Sequence, residues 1–301
     1  MRPGLEERFF WPRRAFMTLT PRQTEYGLAR VVVLPMPYDA TASGPSAGAR
    51  EGPGAIIAAS TEIELFDLEL RREPAAVGIH TLPDLIPVLS APEDMLATVR
   101  GVTAELLRDG KLVVGLGGDH SLTVGLVQAH LEKYRTMGVL YLDAHADLLD
   151  EYLGTRYGHA SVARRLLDLC PTVQVGVRSA GPDEAEAVIR RREAGLLFTP
   201  DDLRAGEATM QRILASLPEL VYVTIDLDVF DPSLMAAVDL PEPGGLLWHE
   251  VLALLREVAR ERQVVGFDLV ELSPREGPRA CSFLAAKLAY KLIGYATGEV
   301  P

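Results

Sequence analysis

Short runs of apolar, mostly β-branched residues recur along the whole chain, and each run has the length of one strand. The runs are continuous rather than alternating, which indicates strands that are buried on both faces. They lie near 31–36, 77–82, 111–116, 138–143, 173–178, 195–199, 220–226 and 263–269. Segments with helical periodicity separate them, near 54–65, 93–108, 121–134, 160–169, 183–193, 207–216, 248–260 and 279–295. Strands that alternate with helices predict a parallel sheet with helices on both faces.

The length and composition predict one domain. The chain has 301 residues, of which 48% are hydrophobic, and it shows no internal repeat or long linker. A chain of this size can build one large core, so we expect a single domain over 1–301. Residues 1–25 have the composition of an irregular arm, and 40–54 that of a loop of small residues.

Charge and composition narrow the possible partners and the compartment. The formal net charge of -12 argues against a nucleic-acid partner, which needs a basic patch, and it suits a cationic substrate. The N-terminus lacks the apolar core of a signal peptide, and Lys287 and Lys291 interrupt the apolar stretch 281–298, so we expect no membrane span. Two cysteines without metal or redox spacing indicate reduced thiols in a cytoplasmic protein. The chain has no asparagine, which favours a thermophilic source.

Four polar clusters follow predicted strands, all at the carboxyl end, which is the edge where parallel sheets bind ligands. The first is GGDHS (117–121), in which two glycines permit a tight turn that presents His120. A single histidine at a strand end is usually structural. His120 therefore depends on the other clusters for its interpretation.

The second and third clusters place several carboxylates on one face. In DAHAD (143–147), alternate side chains of an extended chain bring Asp143, His145 and Asp147 together. In DLD (226–228), Asp226 and Asp228 share a face in the same way. Buried like charges repel each other, so these groups need a cation between them.

The fourth cluster, in GFDLVELSP, contains Asp268 and Glu271; by itself it fits a capped turn or an ion pair equally well.

The first three clusters supply more ligands than one tetrahedral zinc site uses. They suit two ions that share carboxylates, and oxygen-rich ligation with some imidazole favours Mn²⁺. Two such ions lower the pKa of bound water and so provide a nucleophile at neutral pH.

These motifs resemble the arginase/agmatinase (ureohydrolase) family, from about residue 30 to the C-terminus. GGDHS, DAHAD and the DLD of TIDLDVFDP match its metal-binding signatures in order and approximate spacing, and PEPGGL (241–246) and the VEL segment also match. The resemblance implies an α/β fold, a three-layer αβα sandwich with a central eight-stranded parallel sheet. It also implies hydrolysis of a guanidinium group with release of urea.

The resemblance implies two Mn²⁺ ions per subunit and a ligand set for each. One ion would be held by His120, Asp143, Asp147 and Asp226. The other would be held by Asp143, His145, Asp226 and Asp228. Family members are commonly trimers or hexamers, so we expect a homo-oligomer.

Three residues receive catalytic roles from the same resemblance. Glu271 would bind the guanidinium through paired charge-assisted hydrogen bonds. Asp147 would orient the nucleophile and pass its proton to the leaving amine. His159, in RYGHAS, would be a proton shuttle on a flap; without the family it would count as a surface-loop histidine.

The loop LLDEYLGTRYG bears on the choice of guanidine. It looks like the DEYLG-type loop of agmatinases, as does the segment 38–41, and it lacks the asparagine by which arginases recognise arginine. Asp150 and Glu151 would suit a substrate that ends in an amine, or they are solvated loop charges. We therefore expect agmatine, giving putrescine and urea, with N1-aminopropylagmatine, giving spermidine and urea, as the alternative. Arginine, guanidinobutyrate and formimidoylglutamate follow, with Arg156 as a partner for their carboxylates.

Two other classes of protein remain. A deacetylase with a related fold would use a single zinc ion and would not need His120. A non-catalytic scaffold would be expected to have lost ligands, and none is missing. Both predict that no urea is released.

Overall fold

A computed structural model describes residues 15–41 and 48–300 of the chain. Every strand pairing in its sheet is parallel. The strands are β1 (Val31–Met36), β2 (Ile79–Thr81), β3 (Leu112–Gly117), β4 (Gly138–Leu142), β5 (Thr172–Val175), β6 (Leu197–Phe198), β7 (Leu220–Asp226) and β8 (Gln263–Val270). They form one eight-stranded sheet in the order β2-β1-β3-β8-β7-β4-β5-β6.

Ten α-helices lie in the described part of the chain. None of them is both long and apolar enough to cross a membrane. They are α1 (Pro21–Thr24), α2 (Gly52–Ser60), α3 (Pro92–Arg108), α4 (Leu122–Lys133), α5 (Val162–Leu167), α6 (Ala185–Glu193), α7 (Pro200–Arg204), α8 (Glu207–Ser216), α9 (Trp248–Glu261) and α10 (Arg279–Thr297).

Helices cover both faces of the sheet. Side chains alternate along β1, so that Val31 and Val33 pack into one hydrophobic cluster and Val32 and Leu34 into another. The first cluster takes its helical residues from α2, α8, α9 and α10, and the second from α3, α4 and α5. The predicted three-layer αβα sandwich with an eight-stranded parallel sheet is therefore confirmed.

Two short helices were not predicted, although each carries a start signal. Thr20 and Thr199 are N-caps, each followed by proline, and each forms a capping box with the residue three positions on. Helix α1 lies in the predicted arm 1–25, so the prediction of irregular structure is wrong for 21–24; residues 1–14 lie outside the described residues. In the predicted loop 40–54, residues 42–47 are likewise not described, and α2 begins earlier than predicted, at Gly52.

Candidate metal centre and active site

The four clusters follow β3, β4, β7 and β8, which are the four central strands of the sheet. Their order in space is β3-β8-β7-β4, so each of these strands lies beside another that carries a cluster. Because all four run parallel, their carboxyl ends meet at one edge. The strand order thus brings together residues that are up to 151 positions apart, such as His120 and Glu271.

The histidine and aspartate side chains form two groups that could each hold a metal ion. Nδ1 of His120 lies 3.0 Å from Oδ2 of Asp143 and 3.7 Å from Oδ2 of Asp147. Nδ1 of His145 lies 2.7 Å from Oδ2 of Asp228 and 3.7 Å from Oδ1 of Asp143. Asp143 belongs to both groups, which is the arrangement expected of a carboxylate shared by two ions.

Asp226 adjoins both groups. Its Oδ2 lies 3.3 Å from Nδ1 of His120, and its Oδ1 accepts a hydrogen bond of 2.9 Å from the backbone N–H of Asp228. The structure thus brings all six predicted ligands into one cluster.

An unsatisfied oxygen shows that this cluster fits a cation. Asp143 is fully buried, and its Oδ2 accepts no hydrogen bond from any described residue. His120 donates from Nε2 to the hydroxyl of Thr224 over 3.0 Å, so in the neutral ring Nδ1 carries a lone pair. Two acceptor atoms then face each other at 3.0 Å, which is unfavourable unless a cation lies beside them.

The pKa shifts of the cluster lead to the same conclusion. Burial raises the pKa of Asp226 and of Asp147 well above the usual range, and the charge of Asp143 raises both further. Burial alone would lower the pKa of His120, yet the carboxylates of Asp143 and Asp226 beside its Nδ1 favour the protonated ring and raise the pKa well above normal. So many carboxylates cannot all ionise in a buried site without positive charge. Divalent ions held by oxygen and imidazole ligands would supply that charge.

Two of the polar side chains depend on an unusual backbone conformation. Asp147 has φ 51° and Glu271 has φ 65°, in the left-handed region that residues other than glycine seldom adopt. The backbone N–H of Glu271 donates to the carbonyl of Gly118 over 2.8 Å, and its Oε1 accepts from the backbone N–H of His120 over 2.7 Å. A Cβ on Gly118 would lie 1.8 Å from the carbonyl oxygen of Tyr38, so only glycine permits this close approach.

His159 is held from its Nδ1 side. That nitrogen lies 2.7 Å from the carbonyl oxygen of Thr41, to which it donates, and the ring meets Tyr152 edge-on at 5.6 Å. The Oγ1 of Thr41 accepts from the backbone N–H of His159 over 3.1 Å and donates to Asp119 over 2.9 Å. In the neutral ring Nδ1 therefore carries the proton, and Nε2, which accepts no hydrogen bond from a residue in 15–41 or 48–300, is left for the cavity that His159 lines.

Sequence reasoning assigned no role to the residues that support this site. Asp119, in GGDHS, positions Thr41 and through it His159. Thr224, inside the apolar strand β7, links His120 to Asp268, whose carboxylate accepts from Thr224 over 2.7 Å. Asp119 stands beside a predicted ligand, which is a usable signal, whereas a threonine in an apolar strand gives none.

A cavity is lined by the ligands and, beyond them, by apolar and acidic side chains. No lysine or arginine of the described chain lines it. Beyond the ligands and catalytic candidates, its larger lining side chains are Leu149, Tyr152, Glu184, Val238, Asp239 and Leu240.

The charged residues of the loop 148–158 (LLDEYLGTRYG) lie outside the cavity. Asp150 is exposed and is paired with Arg165 and with Arg156, the latter over 2.9 Å. The hydrogen bond from Arg156 is the main reason why the pKa of Asp150 is lowered. Asp150, Glu151 and Arg156 do not line the cavity. Of the two alternatives for Asp150 and Glu151, the structure thus favours charges of the loop over partners for the far end of the substrate, and Arg156 pairs with Asp150 rather than facing the cavity.

Comparison with known proteins identifies the family. The model of the Arginase family matches residues 29–294. The chain belongs to the arginase family. It is a ureohydrolase, a hydrolase that acts on guanidino compounds with a binuclear metal centre, rather than a single-zinc deacetylase or a scaffold. This confirms the reaction class that the sequence motifs predicted.

Relatives of known name span nearly the whole chain. The N(1)-aminopropylagmatine ureohydrolase of Thermus thermophilus is 44% identical over 274 residues, covering 91% of this chain and 92% of the relative. The agmatinase of Pyrococcus horikoshii is 33% identical over 268 residues, with coverage of 88% and 92%. The crystal structure of the agmatine ureohydrolase of Thermoplasma volcanium is similar, with a TM-score of 0.84, 29% identity and 97% coverage of both chains.

Proposed function

We propose that this ureohydrolase converts N1-aminopropylagmatine and water into spermidine and urea. Agmatine was the first expectation from the sequence, and the comparisons favour the alternative, because the relative of that name is 44% identical and the agmatinase 33%. The lining of the cavity is the observation that carries the proposal. Carboxylates of Glu184 and Asp239 stand there among apolar side chains, which suits a long alkyl chain bearing two ammonium groups.

The same cavity disfavours substrates that end in a carboxylate. Arginine, guanidinobutyrate and formimidoylglutamate would bring a negative charge towards Glu184 and Asp239. The cavity offers no lysine or arginine from the described chain to balance it. Like charges at short distance in a partly buried cavity cost free energy, so these substrates should bind poorly.

The metal centre is proposed to hold two Mn²⁺ ions. Oxygen-rich ligation with two imidazoles favours manganese over zinc or copper. The ions would supply a nucleophilic water at neutral pH. The proposed ligands are those of the cluster described above: His120, Asp143, His145, Asp147, Asp226 and Asp228.

Three further roles follow from the geometry around the cavity. Glu271 has one carboxylate oxygen engaged by the backbone of His120, and its second oxygen remains for the substrate guanidinium. The Oδ2 of Asp147 accepts from the hydroxyl of Tyr141 over 2.6 Å, which fixes the carboxylate for orienting the nucleophile. The free Nε2 of His159 can take up and release a proton beside the cavity.

Urea release by the Mn²⁺-loaded protein tests the proposal. N1-aminopropylagmatine, agmatine, arginine and guanidinobutyrate are compared side by side, and we expect the first to have the highest kcat/KM. A higher value for agmatine would restore the agmatinase assignment, and activity on the carboxylated guanidines alone would contradict our interpretation of the cavity. Glu271→Gln should abolish most of the activity, whereas Glu276→Gln, an exposed site in the same segment, should not.

The single domain over 1–301, the cytoplasmic location and the trimer or hexamer stay predictions. We also keep the expectation that neither nucleic acid nor a membrane is a partner. Light scattering after size-exclusion chromatography gives the mass of the assembly, and a monomer would contradict the oligomer prediction.

A further inference from the structure

Asp239 lines the cavity next to Leu240, which is 56% exposed, and so lies at the mouth where the cavity meets solvent. It is half-buried and lines the cavity between Val238 and Leu240. Its carboxylate forms neither a hydrogen bond nor an ion pair with any residue in 15–41 or 48–300. We propose that Asp239 binds the terminal ammonium of the aminopropyl arm and so selects N1-aminopropylagmatine over agmatine. This inference rests on the proposed function.

Asp239 lies in the loop 231–245, which is fixed at both ends. The other two acids of this loop, Asp231 and Glu242, accept hydrogen bonds from neighbouring residues. Asp231 accepts hydrogen bonds from the backbone N–H groups of Ser233, Gly244 and Gly245. Glu242 accepts from the hydroxyl of Ser179 over 3.0 Å. Within this loop, Asp239 is therefore the acid left for a ligand.

Arg178 ties the same loop to the metal-binding segment. Its guanidinium donates to the backbone carbonyls of Glu242 over 2.7 Å and of Asp228 over 2.8 Å. On the other side, the carbonyl of Ala237 accepts from the backbone N–H of Ser273 over 2.8 Å. The position of Asp239 relative to the reacting end is thus set before substrate arrives, which lowers the entropic cost of binding.

Burial assigns Glu184 and Asp239, the two lining acids outside the metal cluster and the catalytic candidates, to different parts of the substrate. Glu184 is only 8% exposed, and backbone N–H groups of Leu148 and Gly181 hold its carboxylate at 2.9 and 2.7 Å. Leu148 directly follows the DAHAD segment, so Glu184 lies near the ligands, where the amine common to both substrates would reach. Asp239 is more exposed and precedes Leu240, which is 56% exposed. The ammonium that only the longer substrate has lies farther from the guanidinium, towards this mouth.

The expected size of the effect follows from the partial burial of Asp239. A hydrogen bond between charged groups strengthens binding more when it is shielded from water than when the pair is fully exposed. For a half-buried pair we expect about a tenfold change in affinity. If the carboxylate of Asp239 bound no part of the substrate, its replacement would change the affinity for both substrates alike or for neither.

The test compares Asp239→Asn with wild type in the Mn²⁺-loaded protein. Glu219→Gln is the matched control, because it removes one exposed charge just before β7, at the opposite edge of the sheet. Steady-state kinetics with N1-aminopropylagmatine and agmatine are combined with calorimetric titration of spermidine and putrescine. For Asp239→Asn we expect KM for the longer substrate and Kd for spermidine to rise about tenfold. The values for agmatine and putrescine, and kcat, should stay within about twofold.

Asp239→Glu keeps the charge and should retain most of the preference for N1-aminopropylagmatine over agmatine. Equal losses for both substrates, or no change for either, would overturn the assignment of Asp239. If wild type prefers the longer substrate and Asp239→Asn keeps that preference, the inference alone fails. If wild type itself prefers agmatine or a carboxylated guanidine, the proposed function fails and takes this inference with it.

Discussion

Thr224 supports a histidine of the metal centre, and its replacement by valine tests the strength of that support. The Oγ1 of Thr224 lies 3.0 Å from Nε2 of His120 and donates to Oδ1 of Asp268 over 2.7 Å. Because the one hydroxyl proton goes to Asp268, the oxygen accepts the Nε2–H of His120. This hydrogen bond fixes the tautomer in which Nδ1 faces Asp143 and Asp226.

Valine has nearly the same shape as threonine but no hydroxyl. Thr224→Val therefore leaves a buried Nε2–H on His120 without an acceptor, which costs about 1–3 kcal/mol. Loss of the group that orients a metal-binding histidine typically weakens metal binding by about 10–100-fold. The two estimates agree, since a tenfold change corresponds to about 1.4 kcal/mol. We expect Mn²⁺ to bind about 10–100-fold more weakly at the site that includes His120.

Calorimetric titration of the metal-free protein with Mn²⁺ measures this loss directly. Thr224→Ser keeps the hydroxyl and should bind Mn²⁺ close to wild type. Circular dichroism checks that both variants keep the fold. Equal affinities for the serine and valine variants would show that the hydroxyl does not orient His120, and the reasoning would then be wrong.

Three further predictions concern the second metal, the flap and the core. Asp228→Asn keeps an acceptor for the backbone N–H of Ala144, 2.8 Å away, but removes a charge, so mass spectrometry should find fewer metal ions per subunit; an unchanged metal content would contradict the ligand assignment. His159→Ala should lower kcat with all metal retained, and loss of metal would rule out a shuttle role. Burial lowers the pKa of His130 to about 4, against about 6.5 in the unfolded chain. The unfolded state thus binds more protons between these values, so the free energy of unfolding should fall by about 2 kcal/mol from pH 7 to pH 5. Denaturation of His130→Met should lack this part of the slope; an identical slope would refute it.

The sequence by itself determined the elements and the chemistry of the site. A strand that is covered on both faces has apolar residues at nearly every position, so continuous apolar runs in the sequence predicted all eight strands. The histidines and aspartates of GGDHS, DAHAD and DLD predicted a centre for two metal ions, and the resemblance of these motifs to the signatures of the ureohydrolase family implied the reaction class. Helices α1 and α7 were missed because four or five residues are too few for helical periodicity to appear.

Only the tertiary structure decided which side chains meet. The order β3-β8-β7-β4 places His120 beside Glu271, 151 positions away, and local periodicity carries no information on strand order. Asp150 is paired with Arg156 of its own loop and with Arg165 of helix α5, and only the folded chain brings the second arginine to it. Asp239 stands out for the opposite reason, because packing places it beside the cavity and no residue in the described part of the chain pairs with its carboxylate. Such contacts depend on how the crossover helices pack the chain together, so no single segment of the sequence encodes them.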